Sequence, residues 1–216
     1  MREKLDIKRI LMLILMGFAL LGLVSMYMII ANLISEYVSS LQGELDKYSE
    51  SMDRFSSVSV DEVPWWDPVL DALATSFIVP FAEELVFRGA VFGELSRRIN
   101  WVLSAVISSA IFGLFHGISI HIGYALISGM ILCVVYQCTK SIFASYIMHA
   151  TFNLFGSAIF TFLDSSIMSG LGINQDRLNL SLLIIEILAI WPAAIGMYFT
   201  IYRPYKLKQV TIKEQL

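Results

Sequence analysis

The sequence of 216 residues is short of charge, since Asp, Glu, Lys and Arg make up only 15% of it, against about 25% in soluble domains. Hydrophobic residues make up 57%, and the mean hydropathy is +0.72. This balance excludes a soluble domain with one anchor and predicts an integral membrane protein. The net charge of −3 gives no basic surface. We therefore expect the lipid bilayer, and no nucleic acid, as a partner.

Cysteine is scarce too, and the motifs of several membrane proteases are missing. Cys133 and Cys138 lie in an apolar stretch without forming a C-x-x-C pair, which indicates buried thiols. The sequence has no G-x-S-G serine with a matching histidine, no G-x-G-D and no H-E-x-x-H. These absences argue against a rhomboid-type serine site, a presenilin-type aspartyl pair and a standard zincin helix.

Long hydrophobic runs are what the sequence has in abundance. Six of them reach or approach the roughly 20 residues that span a bilayer: 10–34, 68–94, 101–120, 122–139, 141–163 and 181–202. The first is too long for the core of a signal peptide, about 7–15 residues, and should persist as a helix. We expect an all-α fold, a polytopic transmembrane helix bundle of about six spans. The whole chain, 1–216, would form a single membrane domain.

The basic residues orient these spans. Eleven of the fifteen Lys and Arg residues fall on one side of a six-span bundle: Arg2, Lys4, Lys8, Arg9, Arg97, Arg98, Lys140, Arg203, Lys206, Lys208 and Lys213. Because basic residues concentrate in cytoplasmic loops, both termini should be cytoplasmic. We expect a multi-pass protein of the cell membrane, in a bacterium the plasma membrane.

The segment 35–67 would then lie on the outer side. One face carries apolar residues at spacings of three and four, and the other is acidic, which predicts an amphipathic helix. The apolar face comprises Val38, Leu41, Leu45, Tyr48, Met52 and Phe55. Gly43 argues against an unbroken helix. Two interpretations stay open: a helix on the membrane surface or continuing the first span, and a lid or partner-binding helix.

Three ionisable residues interrupt the second apolar run. Each charge at the centre of a spanning helix costs about 2.5–3.5 kcal/mol on insertion scales, so such residues indicate a functional site. Glu84 and Arg88 are four positions apart and can pair. Glu83 points about 100° away from Glu84 and is available to another neighbour. Pro80 should kink this helix just before Glu83 and open space for water.

Two histidines also lie inside apolar runs. His116 is in the third run, and His149 is in the fifth, where it shares a helix face with Asn153. Together with the acidic residues they predict a polar site shared by three helices. The alternatives are a structural Glu84–Arg88 pair, histidines that only bond neighbouring helices, and a His₂Glu zinc site of His116, His149 and Glu83.

Two further ionisable residues are harder to assign. His121 is interpreted as structural, near the outer interface. Glu186 in the sixth run is another acid, and its partner is open between His116, His121 and the lipid headgroups.

Three motifs in order resemble the CAAX protease and bacteriocin-processing family of intramembrane glutamic endopeptidases, which includes the type II CAAX prenyl endopeptidases. They are the E-E-x-x-x-R of 83–88, the F-x-x-x-H of 112–116 and the H-x-x-x-N of 149–153. The resemblance covers about 68–160, which would hold the catalytic core helices. It implies a protease that needs no metal and no cofactor.

The resemblance also implies roles for the motif residues. Glu83 would be the general base, His116 would hold and activate water, and His149 and Asn153 would stabilise the oxyanion. Glu84 and Arg88 would order the site. The substrate would be a peptide or a membrane-protein segment, more in keeping with a processed peptide or bacteriocin-like precursor than with a prenylated one.

Depth raises a difficulty for this site. At about 1.5 Å per residue, Glu83 and His149 should lie roughly 12–16 Å from the inner edge, and His116 about 22 Å from it. Two other functions compete with a protease: a non-catalytic immunity or regulatory scaffold, and a transporter that uses the acid–histidine cluster as a proton relay.

Overall fold

The computed structural model describes residues 5–56, 66–117, 119–158 and 174–214, and all regular structure in these ranges is helical. This confirms the all-α prediction for the described part. The α-helices are α1 (Ile7–Ser35), α2 (Ser39–Ser56), α3 (Asp67–Leu73), α4 (Val79–Glu84), α5 (Gly93–Arg98), α6 (Trp101–Leu114), α7 (Ser119–Thr139), α8 (Ile142–Asn153), α9 (Gln175–Met197) and α10 (Arg203–Glu214). Short π-helical segments are Ala74–Ile78, Leu85–Phe92, Leu154–Ala158 and Tyr198–Tyr202.

Within the described ranges, three helical stretches are long and apolar enough to cross a membrane: Ile7–Ser35, Ile120–Thr139 and Asp176–Thr211. Large apolar side chains also remain exposed on their outer faces, among them Leu33 and Trp191. Such a surface suits lipid rather than water. The protein is therefore a membrane protein, while the count of six spans and the cytoplasmic termini stay predictions.

Helix α1 runs through the bundle and packs closely against α8 and α9. A Cβ on Gly17 would lie 2.6 Å from Cβ of Thr151 in α8, and a Cβ on Gly22 would overlap the backbone of Glu186 in α9. Small residues let transmembrane helices approach until their backbones touch. The two glycines therefore set where α8 and α9 sit on α1.

Most of the segment 35–67 that the structure describes forms an amphipathic helix, as predicted, and it packs against the bundle. In α2, Leu45 is buried against Ala31 of α1 and Ile120 of α7. The helix is separate from α1 and continuous through Gly43, because its apolar packing outweighs the cost of one glycine of about 1 kcal/mol. Residues 57–65, with Trp65, and the side chains of Met52 and Phe55 lie outside the description.

Several predicted boundaries move. The third run ends as a helix at Leu114, not near residue 120, since the chain turns before Gly117, whose φ of +76° suits glycine. The sixth begins at Gln175 instead of 181, because Asn174 caps it by accepting a hydrogen bond from the Arg177 N–H at 3.0 Å. Residues 159–163, the end of the fifth predicted run, are not described. Cys133 is buried, as predicted.

Candidate active site

The two adjacent acids lie on one helical stretch but in different surroundings. The chain is continuously helical from Asp67 to Arg98, with π-helical segments on both sides of α4. The Glu84 side chain is fully buried, whereas that of Glu83 is 25% exposed. The predicted divergence of the two carboxylates is confirmed.

Glu84 forms the centre of a buried polar cluster. Its Oε1 lies 3.0 Å from Nη1 of Arg88, so the expected ion pair is present. The same oxygen lies 2.9 Å from Nδ1 of His149. Arg88 also places its guanidinium carbon 4.7 Å from the centre of the Phe112 ring, and its Nη2 donates to the Gly129 carbonyl oxygen at 3.5 Å. The charges therefore compensate each other inside an apolar bundle.

His149 lies between the two carboxylates. An ionised Glu84 carboxylate can only accept a hydrogen bond, so Nδ1 of His149, which faces it, carries a hydrogen. Nε2 is then directed towards Glu83, whose Oε2 lies 3.6 Å away. A protonated ring would present an N–H to each side, and a neutral one would present an acceptor at Nε2. His149 thus links the buried acid to the exposed one.

His116 lies just past the end of α6 and is oriented by a residue of the last turn of that helix. Its Nδ1 donates to the Phe112 carbonyl oxygen at 2.8 Å, so Nε2 of a neutral ring is an acceptor. The Phe112 ring lies 4.6 Å from the ring of His116 and 6.0 Å from that of His149, measured between centroids. The Phe112 ring therefore packs against both histidines and against the Arg88 guanidinium. The sequence reasoning gave it no role, although its spacing of four from His116 was a signal.

Glu83 and His116 line the same cavity, so the expected difference in depth does not keep them apart. The helical stretch that carries Glu83 ends at Arg98 rather than near residue 94. Fifteen positions then separate Glu83 from Arg98, and fifteen separate Trp101 from His116. The two residues are therefore equally far along the chain from the connection between the two helices.

Asn153 is tied to the helix of the acids through a carbonyl that Pro80 leaves open. In a π-helical turn each carbonyl accepts from the N–H five residues ahead, as that of Ala74 accepts from Val79. The Thr75 carbonyl would need the N–H of residue 80, which proline lacks. Nδ2 of Asn153 donates to it instead, at 2.9 Å. Pro80 thus provides a docking point for α8; the kink expected here stays a prediction.

Four of the predicted site residues line one cavity of about 830 Å³: Glu83, His116, His149 and Asn153. Glu84 and Arg88 lie behind this wall. The fold thus brings together all six residues, from the acidic helix, the end of α6 and α8. Water and an extended peptide segment both fit a space of this size.

Both unassigned ionisable residues line the same cavity. His121 packs edge-on against Tyr48, at 4.9 Å between ring centroids, and Tyr124, at 5.3 Å. Glu186 accepts a hydrogen bond from Ser25 Oγ of α1 at 3.1 Å. A serine was not among its expected partners, because nothing in the sequence indicates which face of α1 meets α9.

The His₂Glu zinc alternative requires three ligands grouped around one position. In the described part of the chain, no group of three or more His, Cys, Asp and Glu side chains is arranged to hold a metal ion. The arrangement of His116, His149 and Glu83 therefore lends no support to the His₂Glu alternative.

Comparison with known proteins agrees with the motifs. Residues 64–155 match the family of Rce1-like type II CAAX prenyl endopeptidases. This confirms the resemblance for the region that holds all six site residues. At the level of the family, the match supports a membrane peptidase.

Two curated bacterial proteins are similar to the chain. One is "Putative membrane peptidase YdiL" of Bacillus subtilis, 26% identical over 137 residues, which are 62% of this chain and 56% of that protein. The other is "UPF0177 protein YxdF" of Lactococcus lactis subsp. lactis, 36% identical over 89 residues, or 41% of this chain and 49% of that protein. The chain thus spans about half the length of the curated relatives it matches. No solved structure matches it significantly.

Proposed function

We propose that the protein is an intramembrane glutamic endopeptidase, which hydrolyses a peptide or membrane-protein segment with water activated by Glu83. The observation that carries this is the position of His149, with Nδ1 2.9 Å from Glu84 and Nε2 3.6 Å from Glu83, at the wall of a large cavity. The Glu83 carboxylate at the cavity wall can act as a general base, and the adjacent His149, held by Glu84, can donate a hydrogen bond to an oxyanion.

In the proposed reaction, a water molecule lies between Glu83 and Nε2 of His116. Glu83 takes one proton from the water, and the oxygen attacks the peptide carbonyl carbon. The carbonyl oxygen becomes an oxyanion, which the N–H at Nε2 of a protonated His149 stabilises. When the C–N bond breaks, Glu83 returns the proton to the leaving amine. The products are a carboxylic acid and an amine.

The remaining residues have supporting roles in this proposal. Arg88 would neutralise the charge of Glu84, which holds His149 through the hydrogen bond at Nδ1, and Glu83 would supply the counter-charge of a protonated His149. Asn153 would be a second hydrogen-bond donor to the oxyanion, and its hydrogen bond to the Thr75 carbonyl holds its amide in the cavity wall. The segment 68–160 would form the catalytic core of one membrane domain, and the substrate would be a processed peptide rather than a prenylated one.

Glu83→Gln tests the proposal, because an amide has nearly the same shape but cannot take the proton. Membranes that contain wild-type protein or the variant are compared by mass spectrometry of their peptides. Loss of a general base should lower turnover by at least about 10², so wild-type-dependent products should disappear.

The matched control is Glu94→Gln on the same helical stretch, where the carboxylate is exposed and pairs with Arg98 at 2.6 Å. It should leave the peptide profile unchanged. If Glu83→Gln yields the same products as wild type, the role of Glu83 is refuted. A non-catalytic immunity or regulatory scaffold would keep its phenotype in this variant, and a proton relay would lose transport without any change in peptides.

A further inference from the structure

We propose that Glu186, paired with Ser25, forms a subsite of the same cavity that binds a positively charged group of the substrate. The group would be the ammonium or guanidinium of a Lys or Arg side chain, or a free N-terminal amine. The inference rests on the proposed endopeptidase and adds a specificity determinant to it. Glu186 lies outside residues 64–155, the region that matches the family.

The position of Glu186 is well defined by its helix. Gly22 of α1 lies directly against the Glu186 backbone, so any larger residue there would push α9 away. Ser25, three residues further along α1, donates its hydroxyl to Oε2 of Glu186 at 3.1 Å. The side chain is half-buried and lines the cavity that Glu83 and His149 also line. A carboxylate is therefore held at a defined place in the cavity that the candidate catalytic residues also line.

The charges around Glu186 differ from those around Glu84. Glu84 has Arg88 and His149 as cationic partners, whereas Glu186 forms no ion pair with a Lys or Arg of the described residues, and its hydrogen bond comes from a neutral serine. The cavity lining contributed by those residues likewise contains no Lys or Arg.

A carboxylate inside an apolar helix bundle is costly unless something compensates it. The Ser25 hydroxyl donates to only one of the two carboxylate oxygens of Glu186. An ionised carboxylate can accept several more hydrogen bonds. A cationic group of the substrate would supply both the missing charge and further donors, since charge-assisted hydrogen bonds are about twice as strong as neutral ones. The lining also has an apolar part, with residues such as Leu20, Val24 and Leu182. The subsite thus suits an apolar segment that carries one positive charge.

Binding tests the subsite separately from catalysis. The full chain with Glu83→Gln is placed in zwitterionic phosphatidylcholine nanodiscs, which avoid attraction of cations by anionic lipid. Three short Ala-Leu peptides serve as probes: one capped at both ends with a central Lys, one capped with norleucine in its place, and one with norleucine and a free N-terminus. We expect at least one amine-bearing peptide to bind about tenfold more tightly than the capped norleucine peptide.

Adding Glu186→Gln should reduce this preference to about onefold. If the Lys peptide loses its preference, the subsite binds a side-chain cation; if the peptide with the free N-terminus loses it, the subsite binds an N-terminal amine. The matched control is Asp176→Asn, an exposed carboxylate near the start of the same helix, which should retain the preference. If Glu186→Gln leaves the preference unchanged, or if neither amine-bearing peptide is preferred, the subsite is refuted.

Cleavage separates this result from the endopeptidase itself. With Glu83 intact, wild type should cut the preferred peptide faster than the capped norleucine peptide, and Glu186→Gln should remove that difference while it still cuts the norleucine peptide. Loss of cleavage in Glu83→Gln with an unchanged profile in Glu186→Gln refutes only the subsite. A preference for amines that depends on Glu186, without cleavage by wild type, refutes only the endopeptidase.

Discussion

Replacing Glu84 by Gln should destabilise the protein far more than most single changes, because it strands a buried arginine. Both side chains are almost completely inaccessible, at 0% for Glu84 and 1% for Arg88. Glutamine can still accept the hydrogen bond from His149, so the main loss is the compensating negative charge. Breaking a buried ion pair costs about 3–5 kcal/mol. In a chain of this size each kcal/mol lowers the melting temperature by about 2–4 °C.

The expected fall is therefore roughly 6–20 °C, measured by intrinsic tryptophan fluorescence on heating in detergent. Arg88→Met should cost less than Glu84→Gln, because a protonated His149 can replace the arginine as the partner of Glu84 at 2.9 Å. The double variant Glu84→Gln with Arg88→Met should melt above Glu84→Gln alone, since the stranded cation is then gone.

Glu83→Gln is the matched comparison in this series. Its carboxylate is partly exposed in the cavity wall, so its removal should change the melting temperature little while it abolishes activity. Two results would refute the reasoning: a Glu84→Gln protein that melts like wild type, or a double variant that loses the full sum of the two single losses. If Glu84→Gln is well folded but inactive while Glu83→Gln is active, the assignment of the two acids is reversed.

Three further predictions concern the site and the topology. Pro80→Ala supplies an N–H that competes with Asn153 for the Thr75 carbonyl, and it should lower kcat about tenfold with little change in melting temperature. The control Pro192→Ala, at an exposed proline inside α9, should not affect activity. Equal activity in both variants would contradict the role of Pro80 in positioning α8. EDTA or phenanthroline should leave peptide cleavage intact, and a loss that Zn²⁺ restores would favour the His₂Glu alternative. An impermeant thiol reagent added outside the cell should label Ser49→Cys but not Lys208→Cys, and the reverse pattern would overturn the predicted orientation.

Much of the fold could be predicted from local patterns. Apolar runs locate the helices, since a chain segment in lipid must satisfy its backbone hydrogen bonds within itself. Boundaries were less predictable, as at Leu114 and Arg98, because polar and glycine residues near a helix end do not show whether the chain turns at once. The six-residue difference at Gln175 arose in the same way, from a capping residue ahead of the apolar run.

The two carboxylates show where prediction of the site succeeded and where it stopped. Their divergence follows from the helical period alone, and so does the pairing of Glu84 with Arg88, four positions later. The contact of His149 with Glu84 does not, because the two residues are 65 positions apart. No periodicity within either helix indicates which faces meet.

By itself, the sequence determined the chemistry available to this protein: apolar helices and a few ionisable groups that lipid would not tolerate without partners. The motif spacing also placed Glu84 with Arg88 and His149 with Asn153 on shared helix faces, because residues four apart lie on one side of a helix. Only the tertiary structure decided which groups are partners. It put His149 between the two acids and joined Asn153 to the carbonyl that Pro80 leaves open. It also brought Glu186 and Ser25 to the same cavity, because close packing at Gly22 sets α9 against α1, a contact between distant segments that local sequence patterns do not encode.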